Sequence, residues 1–156
     1  MGNLIGMTRG TIKYGYVFGP RVLVGPCAIG ASEVFLDTGG KFVKFDNDRQ
    51  IEVALAADTA LFGWAECGAF TSSSTEGKDE VVVDVSCDSV YYIPADEAVT
   101  IALRGKTCDF VLDSNRQRAD VGVGTTNVIL IVDVDIANQA VYAQMNRAKQ
   151  YATSVT

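Results

Sequence analysis

Gly105-Lys106-Thr107 repeats the last three residues of a loop that cradles nucleotide phosphates, G-x-x-x-x-G-K-[ST]. That loop opens on a glycine five positions before its Gly-Lys pair, where this chain has Thr100, and it leads into a helix. Here Cys108, Phe110 and Leu112 alternate with Asp109, Val111 and Asp113, which is the period of a strand. Gly105-Lys106 therefore reads as a two-residue hairpin turn with glycine first, the order that a type II′ turn prefers. The segment GVGTTN (122–127) shares only its glycines with a phosphate loop and also reads as a turn.

Paired carboxylates are the next groups with chemical potential. Asp133 and Asp135 stand two residues apart, about 6.5–7 Å along a strand, and Asp46 and Asp48 flank Asn47. Such pairs hold calcium or divide acid and base roles. The stretch from Asp46 lacks the glycine and glutamate of a calcium-binding EF-hand loop, so the carboxylates read as charges that blunt sheet edges against aggregation. The chain has no histidine, which removes histidine-based triads, histidine metal ligands and the side chain that titrates nearest neutrality. Cys27, Cys67, Cys87 and Cys108 form no C-x-x-C pair, so they read as buried, reduced thiols. These residues give no catalytic, cofactor-binding or metal-binding set.

The elements that carry these groups follow a period of two. EVVVDVSCD (80–88) puts Val81, Val83, Val85 and Cys87 on one face. NVILIVDVDI (127–136) puts Val128, Leu130, Val132, Val134 and Ile136 on one face and Ile129, Ile131, Asp133 and Asp135 on the other. Further strands are expected at 11–18, 21–24, 33–38, 41–46, 51–56, 59–66, 90–93, 100–104 and 107–112. They recur about every 8–12 residues between Gly, Asp, Asn and Pro, the spacing of an antiparallel sandwich or barrel. The helix-forming run 137–152 is read as a hairpin about Asn138 followed by a frayed tail, with a helix as the alternative. The expected fold is all-β: an antiparallel β-sandwich or β-barrel-like domain with an extended N-terminal arm and little helix.

With 156 residues the chain fits one domain, 1–156, that buries roughly two-thirds of its unfolded surface. Within it, the glycine-rich residues 1–20 read as an arm, and 68–79 as a long polar loop. The net charge of −6 and the 13 scattered basic residues argue against nucleic acid, which needs a basic face. The opening MGNLIGMTRG lacks the basic head and apolar stretch of a signal peptide, and no apolar run reaches the length of a membrane span. Large apolar side chains remain as contact candidates. Tyr91 and Tyr92 put one ring on each face of a strand, and the lone Trp64 suits a core or an interface. The contact candidates are Leu4, Ile5, Tyr14, Tyr16 and Phe18 in and beside the arm, with Trp64, Tyr91 and Tyr92 in the body.

Several stretches together resemble a known group. YYIPADEAVT, GKTCDFVL, RADVG, VILIVDVDI and MNRAKQYAT, within residues 91–153, are similar to small structural proteins of tailed bacteriophages that decorate or cement the capsid. The resemblance covers the C-terminal two-fifths well and the first half only in style. It carries no functional residues across, because the function it implies resides in surfaces. It implies a non-enzymatic virion protein on the outer capsid, assembled in the bacterial cytoplasm. Its partners would be the major capsid protein and itself, as a homotrimer, with no cofactor and no membrane. A trimer engages several capsid subunits at once, so modest contacts multiply. The alternative is a carbohydrate- or receptor-binding β-sandwich module, in which Trp64 and Tyr92 stack on sugar rings and Asp133 and Asp135 hold calcium. An enzyme using the carboxylates or Cys67 has the least support.

Overall fold

A computed structural model describes residues 14–36 and 39–150. Their strands are β1 (Gly15–Phe18), β2 (Leu23–Ala28), β3 (Val34–Phe35), β4 (Lys41–Phe45), β5 (Ile51–Val53), β6 (Gly63–Ala65) and β7 (Phe70–Thr71). These are followed by β8 (Glu80–Asp84), β9 (Val90–Pro94), β10 (Thr107–Asp113), β11 (Arg116–Asp120), β12 (Ile129–Asp135) and β13 (Ala140–Met145). A six-stranded sheet has the order β1-β9-β13-β12-β10-β11, a five-stranded sheet the order β2-β8-β6-β4-β5, and β3 pairs with β7 in a small ribbon. The ladders are antiparallel, and the sheets pack against each other as the alternating sequence predicts. Isolated bridges from Ile29 to Ile51 and from Ala95 to Ala119 curl both sheets toward barrel closure. Among the described residues no helix is long and apolar enough to cross a membrane.

Strand register explains why the five-stranded sheet is apolar on both faces. Val24, Val83, Ala65, Lys41, Val43 and Val53 share one face through their pairings. Phe35 and Phe70 from the ribbon, stacked at 5.2 Å, pack into the cluster on that face. The opposite face presents Leu23, Asp84, Trp64 and Phe42, and most of it meets the six-stranded sheet. Trp64 sits at the centre, 4.4 Å from the Tyr91 ring, 4.8 Å from Phe42 and 5.7 Å from Tyr14. Truncating a buried aromatic of this kind costs about 3–5 kcal/mol.

Strict alternation fails on β12. The register shifts between Ile131 and Asp133, and the extra residue re-phases the strand. Ile129, Ile131 and Val134 all reach the core, whereas continuous alternation sets Ile131 and Val134 on opposite faces. Asp133, Tyr142 and Tyr92 are cross-strand neighbours on the outer face, where the Tyr92 hydroxyl reaches the Asp135 carboxylate.

Other expectations divide. The hairpin about Asn138 is present: β12 and β13 pair from Asp135–Ala140 to Ile129–Met145. The tail after it is tied down through Gln150, whose amide donates to the Val85 carbonyl at 2.8 Å. Residues 100–104 are not a strand; Ile101–Leu103 form a short 3-10 turn. Gly105 is a turn residue with φ +79°, but the turn follows that 3-10 segment rather than joining two strands. The reason is local: the Gly105 amide donates to the Ile131 carbonyl and Ile131 returns a bond to Lys106, anchoring the turn on β12. The arm expected over 1–20 also shortens, because Gly15–Phe18 pair with β9 inside the sheet. Its first 13 residues lie outside the described ones. The polar stretch 68–79 contains β7, with Ser72 bridging the Gly30 carbonyl and the Glu33 amide.

Candidate interaction surface

Burial sorts the contact candidates. Trp64 and Tyr91 are core residues, not contact residues: the two sheets close over them completely. Their rings face the interior because their strand partners, Phe42 and Tyr16, point there too. Tyr14 and Tyr16 are half-buried against the same cluster, with their hydroxyls bonded to the Gly40 and Gly19 carbonyls. Tyr92 is half-buried on the outer face. Phe18 is 41% exposed, and Leu4 and Ile5 lie outside the described residues.

An apolar band emerges where β1 leaves one sheet and β2 enters the other. Val22 and Leu23 are 52% and 53% exposed, and Val82 on the neighbouring strand is 41% exposed. Pro20 and Pro26 are exposed beside them. Leu23 pairs with Asp84, which sets Leu23 and Val82 on the same face, while Val22 points to the other. The band therefore wraps the side where both sheets present an edge strand, β1 and β2. Both edges are interrupted: register shifts fall between Tyr16 and Phe18 and between Val24 and Cys27. Interrupted edges discourage strand addition and leave side chains as the means of contact. A strand is expected at 21–24; the exposure of Val22 and Leu23 follows from edge position, which periodicity does not encode.

Arg21 lies at the middle of the band. Its guanidinium stands 4.4 Å from the centre of the Tyr16 ring, pairs with Glu66, and lies 3.6 Å from the Asp84 carboxylate. Asp84, fully buried, also accepts from the Tyr91 hydroxyl at 2.6 Å and from the Val22 and Ser86 amides. Burial raises its pKa, but hydrogen bonds from Ser89, Tyr91 and those amides outweigh burial and hold it below the usual carboxylate value. Burial, and then Asp84 itself, push the Tyr91 phenol upward. Alternation along 80–88 sets Asp84 on the face opposite Val81 and Val83, and the second sheet covers it there.

Asp133, Asp135 and Asp46 are each occupied by structure. Asp133 is buried beside Arg104 at 3.2 Å, and its carboxylate also accepts from the Val134 amide. Asp135 accepts from the Asn138 amide and side chain and from Tyr92. Asp46 accepts from the Asp48 and Gln50 amides, closing the turn between β4 and β5. Both pairs had been read as exposed edge charges; Asp133 and Asp135 are instead buried hydrogen-bond anchors. Among the described residues no three carboxylates or thiols converge in a metal-binding group, and no pocket is enclosed. The four thiols are free; Cys87 and Cys108 are buried, and Cys27 and Cys67 are half-buried. Burial pushes the Cys67 thiol up to about 11 and Cys108 to about 12, so neither is an activated nucleophile.

Comparison with protein families and with curated proteins finds no match to this chain.

Proposed function

We propose that this chain is a non-enzymatic virion structural protein of a tailed bacteriophage, a capsid decoration or cement subunit. In this reading it binds the major capsid protein across capsomer seams on the outer shell. The observation that carries it is the coincidence of the resembling run with one structural unit. Residues 91–150 hold most of β9 and all of β10 to β13, strands that belong to the six-stranded sheet. Two further features support a role as a shaped surface. The sheets are locked together by buried aromatic and polar contacts, Trp64 against Tyr91 among them, as suits a protein that transmits load. Apolar side chains also stand exposed at the loop ends of that unit, at Ile101, Val123 and Ile136.

The sugar-binding alternative loses its main anchors. Trp64 is wholly buried and offers no platform to a sugar ring, and Asp133 and Asp135 are engaged within the chain. Mixing purified protein with undecorated phage heads tests the proposal. Saturable binding that raises the heat resistance of the heads supports it; heads that neither bind the protein nor gain resistance refute it.

A further inference from the structure

The last described residues of the chain cross from one sheet to the other. Asn146, just after β13, is fixed to the residues ahead of β12: its amide donates to the Val128 carbonyl and its side chain to the Asn127 carbonyl, both at 2.8 Å. Arg147–Lys149 then turn through a short 3-10 segment, and Gln150 bridges to Leu61, which leads into β6 of the other sheet. The Leu61 amide donates to the Lys149 carbonyl at 2.9 Å. The Gln150 side chain donates to the Val85 carbonyl at 2.8 Å and accepts from the Cys87 thiol at 3.4 Å. Arg147 pairs with Asp88 at 3.0 Å.

This crossing is held by polar bonds and not by burial of its own. None of Arg147, Ala148, Lys149 and Gln150 is buried, and the Arg147–Asp88 pair is exposed on both sides, so it adds little. Yet the segment lies against two members of the main core: Leu61, wholly buried, and Cys87, 8% exposed. A segment with little buried apolar surface opens at a lower cost than the sheets it rests on. From this we infer that Arg147–Gln150 form a latch that swings about Asn146 while both sheets stay folded. Its opening frees the Leu61 amide and bares Cys87. Closed, the latch shields the thiol; open, it leaves Cys87 within reach of a reagent while Cys108, the other thiol of that core, stays covered. The latch is independent of the virion role, and its test needs no phage head.

Two rates, followed in increasing urea below the unfolding transition, measure the opening: hydrogen exchange at the Leu61 amide, and alkylation of each thiol by N-ethylmaleimide, resolved by peptide mass mapping. Cys87 should react faster than Cys108. Its rate and the Leu61 exchange rate should be nearly independent of urea, because a small opening exposes little surface. Cys108, 3% exposed, should react only as the whole chain unfolds, at a rate that climbs steeply with urea. Gln150→Ala removes the bond to Val85 and should raise the Leu61 and Cys87 rates by a factor about five times that at Cys108. Arg147→Ala should raise them by a smaller factor. Circular dichroism verifies that both variants are folded, and comparison with Cys108 cancels any general loss of stability. Leu61 and Cys87 rates that follow Cys108 in urea, or that rise no more than Cys108 in Gln150→Ala, would overturn the inference. Fast alkylation of Cys87 with Leu61 exchange that climbs like Cys108 would also overturn it, since the thiol would then react through standing exposure.

Discussion

The Tyr91 hydroxyl donates to the Asp84 carboxylate at 2.6 Å, joining β9 of one sheet to β8 of the other in a site closed to solvent. A buried carboxylate is tolerated when its lone pairs are filled, and Asp84 fills them with Tyr91, two backbone amides and the nearby Arg21. Removing one donor leaves part of a buried charge unsatisfied. Tyr91→Phe should therefore destabilise the chain by about 1–3 kcal/mol in urea unfolding, although the ring itself stays in place.

The same carboxylate gives the stability curve an acid limb. Its folded pKa lies below the unfolded value of about 3.9, so its contribution is present above that pH and is lost as pH falls through the folded value. Asp84→Asn should lower stability at neutral pH and flatten the loss below about pH 4. Parallel acid limbs in the two proteins would show that other groups set the curve.

A second polar clamp holds the opposite side of the sandwich. The side-chain amide of Gln117 behaves as a piece of backbone: it accepts from the Phe42 amide at 2.8 Å and donates to the Phe42 and Ala54 carbonyls at 2.9 and 3.0 Å. It is 1% exposed, so no water can replace it. Gln117→Leu should cost about 1–3 kcal/mol for each backbone group left unpaired. Gln117→Glu should not rescue it, because a carboxylate cannot donate to the two carbonyls. Chemical denaturation of both variants checks the pair; a Glu variant as stable as the parent would contradict the clamp.

Cys27 and Cys67 illustrate how register decides covalent chemistry. Cys27 pairs with Val81, and extending the Ala65–Val83 pairing by two residues sets Cys67 on the other side of Val81. Two inter-strand spacings separate them, about 9.5 Å, beyond the reach of a disulfide. Oxidised and reduced samples should show the same intrachain connectivity, with four titratable thiols after denaturation. Cys67, raised to about 11, should alkylate slowly at neutral pH in the folded chain. An intrachain Cys27–Cys67 disulfide detected by mass spectrometry would show the register to be wrong.

How far the sequence foretold these sites depends on what fixed them. The all-β class, most strands and the hairpin about Asn138 follow from period-two alternation and turn residues, which are local signals. Asp84 and Gln117 were not legible, because their value arises from which sheet lies opposite, and that is decided by chain topology. The β12 bulge was hidden as well: VILIVDVDI alternates without a break, and only pairing with β13 shows that Val132 is extra. Trp64 and Tyr91 were left open between core and surface for the same reason, since parity names a face but not what covers it.

Asp120 offers a test with the opposite sign to Asp84. It is half-buried on β11, and its pKa is raised first by burial and then by the nearby acids Asp96, Asp109 and Glu97. A raised folded value means that the folded chain binds this proton more readily than the unfolded chain. The carboxylate is therefore a penalty above its folded pKa, and the penalty disappears as pH falls to the unfolded value of about 3.9. Asp120→Asn should stabilise the protein at neutral pH by a modest amount, below about 1 kcal/mol given its solvent exposure. The gain should vanish in acid. Melting temperatures of parent and variant measured from neutrality down to acid pH would then converge, whereas for Asp84→Asn the variant starts lower and the parent falls toward it. Curves for Asp120→Asn that stay apart in acid would mean that packing, and not charge repulsion, governs the site.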